Sequence, residues 1–126
     1  MNKITRTVEI SDKLIEDILC TAFEGGITYW AVNVSCEDNK DMKEVSGWKH
    51  EYLTKTKKKD AVMYIHTMEG GKVKITKSLI LEALQQMGDP KYKCTKALSR
   101  ILEETYDADD ADIVVQTACF GEVVYG

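Results

Sequence analysis

The sequence is short of proline and of long apolar runs, and each shortage excludes a class of protein. A single proline, with 44% hydrophobic and 30% charged residues, excludes a proline-rich or disordered chain. No stretch approaches the roughly eighteen apolar residues that a membrane-spanning helix needs, and the first residues lack the apolar core of a signal peptide. We therefore expect a cytoplasmic protein that does not associate with membranes.

Signatures of metal and catalytic sites are also missing. The four cysteines include no CxxC pair, and His50 and His66 have no cysteine or carboxylate at ligand spacing. A calcium loop starting at Asp107 would need glycine and glutamate at the positions that hold Asp112 and Ala118. No local motif pairs a cysteine with a histidine for nucleophilic catalysis. We expect no metal, no cofactor and no enzymatic activity.

The chain does have the length of one domain and an uneven distribution of charge. Its 126 residues, 1–126, are predicted to form a single domain. The net charge is -4, yet residues 40–77 hold ten lysines against five acidic residues, so the flanking segments carry the negative charge. This asymmetry suits an anionic ligand or a self-complementary assembly, and it also arises when solvated faces differ.

Strands are predicted where apolar and polar residues alternate. Residues 4–10 alternate in this way and are rich in β-branched side chains, which predicts an N-terminal strand. Residues 61–67 and 72–76 flank a turn with two adjacent glycines, which is the clearest hairpin of the chain. The apolar residues 27–36 form either a short strand or an ordered loop, and residues 45–53 are predicted as an edge strand.

Four amphipathic helices are predicted from apolar residues at helical spacing. Ser11 is expected to cap the first helix, and Gly25 or Gly26 to end it in the left-handed conformation. The helices are residues 11–23, a helix capped by Thr76, a helix from Tyr92 or Thr95, and a last helix that begins after Asp109 or Asp110. Because strands and helices are segregated along the chain, the predicted fold is α+β. Its small antiparallel sheet, made of the N-terminal strand and the central hairpin, is packed by about four helices.

The C-terminal residues 109–126 are apolar for the end of a chain. Their apolar side chains recur at helical spacing, so one stripe of this last helix must be buried. We predict that the segment docks against the helix of residues 11–23, with the turn at residues 24–30 beside it.

Six acidic residues around the start of the last helix form the first candidate site. Carboxylates at a helix N-terminus complement its positive end and cap its N–H groups, which is one interpretation. The other is that they resemble a nucleic-acid backbone and bind a DNA-binding partner. The candidate partner-binding residues are Glu103, Glu104, Asp107, Asp109, Asp110 and Asp112.

A second candidate site combines central lysines with aromatic residues. Lysines bind phosphates and aromatic rings stack on bases, so the set suits a nucleotide. The alternatives are a solvated loop and aromatic residues that fill the core. A pI of about 5.2 argues against binding to duplex DNA. The candidate ligand-binding residues are Tyr29, Trp30, Trp48, Lys55, Lys57, Lys58 and Lys59.

Two motifs near the ends of the chain resemble a known group of proteins. The sequence EGGITYW spans residues 24–30, and FGEVVYG spans residues 120–126. Together they resemble small acidic proteins that phages and mobile elements of Gram-positive bacteria carry. The resemblance covers only these parts of the chain and brings no catalytic residues with it. It implies an accessory protein that binds and blocks a host defence component.

These observations lead to three hypotheses about function. The first is a non-enzymatic phage or mobile-element accessory protein for counter-defence, an anti-CRISPR-like inhibitor that binds a host effector through its acidic residues. The second is an oligomeric sponge that sequesters a nucleotide second messenger of immunity, with lysines on the phosphates. The third is a structural or housekeeping phage protein.

Overall fold

The computed structural model describes residues 7–37 and 48–126, in which a three-stranded antiparallel sheet is packed by helices. The predicted α+β fold is confirmed. The sheet has the order β1-β2-β3, with strands β1 (Ala31–Cys36), β2 (Met63–Thr67) and β3 (Lys72–Ile75). The helices are α1 (Asp12–Thr21), α2 (Tyr52–Lys55), α3 (Lys77–Met87), α4 (Thr95–Leu102) and α5 (Ala108–Phe120). Shorter helical turns are the π-helical Ala22–Gly26 and the 3₁₀ turns Lys49–Glu51 and Pro90–Tyr92.

Side-chain caps set the starts of the long helices. The Ser11 hydroxyl accepts a hydrogen bond from the Leu14 N–H at 3.1 Å, and the Thr76 hydroxyl accepts one at the start of α3, so both predicted caps are confirmed. Helix α5 begins at Ala108, earlier than predicted. Asp107 caps it in a reciprocal capping box with Asp110, and this pair selects the start among several neighbouring aspartates.

The sheet is built from a different first strand than the one predicted. Thr7–Ile10 adopts no strand, and residues 4–6 lie outside the described residues. The partner of the central hairpin is β1, from the segment predicted as strand or loop, and Cys36 of β1 pairs with Met63 of β2. The register shifts between Ala31 and Asn33, so a bulge interrupts the alternation of buried and exposed residues in β1. The hairpin of β2 and β3 is confirmed.

The prediction of an edge strand at residues 45–53 is wrong for residues 48–53, which the structure describes. Residues 45–47 lie outside the described residues, and residues 48–53 enter a 3₁₀ turn that continues into α2. Tyr52 and Leu53 are adjacent and both buried. Two consecutive residues face the same core on a helical turn and opposite sides on a strand, so packing favours the helix.

Helix α5 lies at the centre of the fold and contacts α1, the π-helical turn, β3, α3 and α4. Gly26 allows a close approach of the π-helical turn to α5, since a Cβ atom at this position would lie 2.6 Å from the carbonyl oxygen of Ala108. Neither Gly25 nor Gly26 has a positive φ, so the expected left-handed end of the first helix is wrong. The glycine at position 26 is required by the contact with α5 rather than by its backbone conformation.

Candidate functional site

The two sequence motifs at residues 24–30 and 120–126 meet in the structure. The Trp30 ring stacks on the Tyr125 ring with centroids 5.2 Å apart and planes 7° from parallel, and it packs at a tilt against Phe120. Trp30 is only 2% exposed. Its ring is not available to stack on a ligand base, which corrects that part of the second candidate site. Aromatic rings packed in this way stabilise the fold through buried area and ring geometry.

Asp112 ties both motifs to α5. Its carboxylate accepts hydrogen bonds from the Tyr29 hydroxyl at 2.6 Å, the Trp30 indole N–H at 2.8 Å and the Gln116 amide at 2.9 Å. Burial, followed by the hydrogen bond to Asp112, raises the pKa of Tyr29 to about 12. Both carboxylate oxygens of Asp112 therefore have partners inside the protein.

Gln116 holds the C-terminal residues through hydrogen bonds from its side-chain amide. Its amide oxygen accepts hydrogen bonds from the backbone N–H groups of Val124 at 2.7 Å and Tyr125 at 2.8 Å. Its amide nitrogen donates to Asp112 and lies 3.2 Å from the Tyr125 carbonyl oxygen. The predicted docking of the last segment beside residues 24–30 is confirmed.

Asp110 is the second buried carboxylate of the acidic stretch. It is 1% exposed and accepts two hydrogen bonds of 2.7 Å from the Arg100 guanidinium. These hydrogen bonds are the main cause that lowers the pKa of Asp110 below its usual range. Asp110 and Asp112 therefore serve the fold, which corrects their assignment to a partner-binding surface.

The other acidic candidates remain on the surface. Glu103, Glu104 and Asp107 are exposed on the connection between α4 and α5, and Asp109 is exposed in the first turn of α5. Asp17 of α1 and Glu104 line the same open depression, together with Tyr106. The name acidic face is used below for the five residues Asp17, Glu103, Glu104, Asp107 and Asp109. Burial raises the pKa of Tyr106, and the negative charges of Asp17 and Glu104 add to that rise.

The structure does not gather the second candidate site into one place. Lys55 forms ion pairs with Glu51 at 3.0 Å and Glu16 at 3.7 Å, and the hydrogen bond to Glu51 is the main cause that raises the pKa of Lys55. Trp48 is 64% exposed and lines a groove of about 470 Å³. The groove is lined by residues that include Phe23, Ile27, Thr28, Val32, Lys49 and His50, and its lining contains none of Lys55, Lys57, Lys58 and Lys59. Tyr29 is half exposed, with its hydroxyl bonded to Asp112.

Sequence reasoning missed a polar surface on the outer side of the sheet. The register places six polar side chains there in two rows across the strands, Ser35, Tyr64 and Lys74 in one and Asn33, His66 and Lys72 in the other. None of the six is fully buried. The alternation of the hairpin already marks its four outward residues, but β1 was needed to complete the rows. We call these six residues the outer sheet face.

Within residues 7–37 and 48–126, no group of three or more His, Cys, Asp or Glu side chains has the arrangement needed to hold a metal ion. The helices in these same ranges are too short or too polar for any of them to cross a bilayer.

Comparison of the chain with protein-family models, with curated proteins and with solved structures finds no match. The likeness of the two motifs to phage and mobile-element proteins therefore stays a prediction.

Proposed function

We propose that this chain is a non-enzymatic accessory protein of a phage or mobile element that binds a host defence protein through its acidic face. The observation that carries the proposal is the exposure of Glu103, Glu104, Asp107 and Asp109 around the start of α5, beside the two buried carboxylates of Asp110 and Asp112. Among the described residues, no ion pair joins Glu103, Glu104 or Asp109 to a cation. Their charge is available to a partner.

The connection that presents these carboxylates is held in a defined conformation. The fork of hydrogen bonds between Arg100 and Asp110 ties the end of α4 to the first turn of α5. Asp107 adds the capping box at the same point. A charged surface that is ordered before binding loses less entropy on association, and its field speeds the encounter with an oppositely charged surface.

The partner chemistry that fits this face is a basic surface that ordinarily holds nucleic acid. A row of carboxylates occupies such a surface in place of phosphates, and a CRISPR effector nuclease is a host defence protein with such a surface. Occupation of that surface would block nucleic-acid binding without any chemical step by this chain.

The test is a charge reversal of three exposed residues, Glu103→Lys, Glu104→Lys and Asp109→Lys. Asp107 is left intact because it caps α5. The matched control reverses Glu9, Glu82 and Glu122, which are exposed elsewhere and give the same change in net charge. Both proteins are expected to keep their melting temperature, because exposed substitutions usually change stability by only about 0.5 kcal/mol.

The readout is plaque formation by a targeted phage on a CRISPR-immune host that expresses each variant, with cleavage by the purified effector measured in parallel. The wild-type chain is expected to restore plaques, the acidic-face variant to lose about tenfold or more of this protection, and the control to retain it. The proposal is overturned if the wild-type chain protects no phage against a panel of defence systems, or if both triple variants protect equally.

A further inference from the structure

Among the six residues of the outer sheet face, the two lysines lie at one side and neutral hydrogen-bonding groups lie at the other, where Lys49 from the neighbouring 3₁₀ turn also contacts Asn33. Each of its two rows ends in a lysine of β3, namely Lys74 or Lys72. Each row begins on β1 with a group that donates and accepts hydrogen bonds, Ser35 or Asn33. The middle strand contributes a tyrosine and a histidine.

Side-chain contacts hold this face in order before any ligand is present. The Lys72 ammonium lies 4.4 Å from the centroid of the Tyr64 ring, a cation–π contact. Ser35 Oγ and His66 Nε2 are 2.8 Å apart. When Nε2 accepts a hydrogen bond from the serine hydroxyl, Nδ1 of the neutral ring carries the hydrogen and is a donor. The Lys49 ammonium donates to the Asn33 side-chain oxygen at 3.3 Å, which leaves the amide N–H groups of Asn33 as donors.

The charges of this face are not neutralised within the described part of the chain. No ion pair is formed there by Lys72 or Lys74. Glu69, in the hairpin turn three residues before Lys72, is the nearest carboxylate in sequence. Its side chain accepts a hydrogen bond from the Tyr125 hydroxyl at 3.4 Å, and within the described residues it forms no ion pair with either lysine. The lysine side of the face therefore attracts an anion, and the lysines, about 7 Å apart along β3, can share one phosphate group.

We infer that the outer sheet face binds a nucleotide, with the phosphate between Lys72, Lys74 and His66 and the sugar or base edge against Ser35 and Asn33. The distance across three strands is about 10 Å, which matches the length of a mononucleotide. A protein partner fits less well. Three short strands offer roughly 200 Å², far below the roughly 800 Å² that each side of a stable protein interface buries.

A catalytic reading of Ser35 and His66 is not favoured by the same contacts. A serine nucleophile needs a histidine base whose second ring nitrogen is oriented by a third group. Among the described residues, no carboxylate or carbonyl hydrogen-bonds to the second nitrogen of His66. The pair is therefore assigned to binding. The face uses none of the residues of the acidic face, so the inference is independent of the proposed function.

The experiment is isothermal titration calorimetry of the full chain at low ionic strength with four probes. The probes are adenosine and guanosine 5′-monophosphate, inorganic phosphate, and adenosine without phosphate. The two nucleotides are expected to bind about tenfold or more tightly than inorganic phosphate, and adenosine to give no measurable heat. This ranking of affinities is expected only if the ligand contacts both the lysines and the neutral side chains of the face.

Variants then locate the site. Lys72→Gln with Lys74→Gln is expected to weaken nucleotide binding about tenfold or more, because two charged hydrogen bonds to phosphate are lost. The matched control, Lys57→Gln with Lys59→Gln, removes the same charge from an exposed loop and is expected to change affinity less than about twofold. Ser35→Ala is expected to weaken the binding of nucleotides and to leave the affinity for inorganic phosphate unchanged. Circular dichroism checks that every variant is folded.

Three results would overturn the inference. One is the absence of nucleotide binding by the wild-type chain at millimolar concentration. Another is an equal loss of affinity in both lysine pairs, which indicates general attraction by charge. The third is inorganic phosphate that binds as tightly as the nucleotides, which indicates a simple anion site. None of these results affects the charge-reversal test of the acidic face.

Discussion

The junction, where Asp112 and Gln116 of α5 meet Tyr29, Trp30 and the last residues, and the outer sheet face both combine polar and aromatic side chains, but in opposite surroundings. At the junction, Asp112 and Gln116 bond to Tyr29, Trp30 and the backbone of the last residues. On the sheet, lysines, a histidine and a tyrosine are arranged in rows that remain partly or fully exposed. The junction uses its polar atoms to close the fold, whereas the polar atoms of the sheet stay at the surface.

The difference shows that polar and aromatic residues in a motif do not by themselves mark a binding site. A buried polar atom without a partner is costly, so the fold supplies each one with hydrogen bonds. Once those bonds are made, the group has little capacity left for a ligand. The motifs at residues 24–30 and 120–126 are therefore structural, and the comparison can be tested by substitutions at matched positions.

The largest effect on stability is expected from Asp112→Ala, a substitution in the junction. The substitution removes the acceptor of three hydrogen bonds and leaves the indole N–H of buried Trp30 without its partner. We expect a loss of about 3–5 kcal/mol in the free energy of unfolding, measured by denaturant titration.

The control is Asp109→Ala, which removes an exposed carboxylate three residues earlier on the same helix. Its expected effect is within about 0.5 kcal/mol. If the two alanine variants were equally stable, the hydrogen bonds of Asp112 would not support the fold, and the contrast between buried and exposed carboxylates would fail.

An intermediate effect on stability is expected from Gly26→Ala, which tests how tightly the junction is packed. The added methyl group would lie 2.6 Å from the Ala108 carbonyl oxygen, a backbone atom that cannot turn away. We expect a loss of about 1–3 kcal/mol, visible as a lower melting temperature.

Gly25→Ala provides the matched control because a Cβ atom at Gly25 meets nothing within 4 Å, and its φ is not positive. This substitution is expected to be neutral or to stabilise by up to about 1 kcal/mol, since alanine restricts the unfolded chain. A Gly26 variant as stable as the Gly25 variant would show that α5 can move away from the π-helical turn.

The smallest effect is a dependence on pH at the edge of the junction, where Asp110 meets Arg100. The pKa of Asp110 is lowered in the folded state, so its contribution is present above the unfolded pKa of about 3.9 and is lost as the pH falls through the folded pKa. Arg100 is half exposed, which limits this contribution to roughly 1 kcal/mol. We expect the stability gap between wild type and Asp110→Asn to shrink between pH 6 and pH 3, as measured by urea unfolding. A gap that stays constant over this range would show that the charge of Asp110 is unimportant.

Local signals in the sequence predicted much of the fold. Ser11 and Thr76 each precede an apolar stripe by the spacing of a cap, and the adjacent glycines of the hairpin mark its turn. The first strand was misplaced because residues 4–10 alternate clearly, whereas the bulge in β1 hides the alternation of a true strand. Local alternation records a preference, and pairing with β2 decides which segment joins the sheet.

The candidate sites were predicted less well because burial depends on residues distant in sequence. Asp109 and Asp112 are both acidic residues at the start of one helix, and composition alone treats them alike. What separates them is that Tyr29 and Trp30, more than eighty residues away along the chain, donate to Asp112. The outer sheet face was missed for a related reason, since its rows exist only when three separate strands are aligned.

The two tryptophans lie in different surroundings, so their intrinsic fluorescence reports on two parts of the protein. Trp30 is enclosed between Tyr125 and Phe120, whereas Trp48 is largely in water beside His50. An enclosed indole emits at shorter wavelength than a hydrated one. Emission at shorter wavelength, from Trp30, therefore reports whether the last residues are packed on α5. Emission at longer wavelength, from Trp48, reports whether a molecule enters the groove. One fluorescence spectrum gives both signals without an added label.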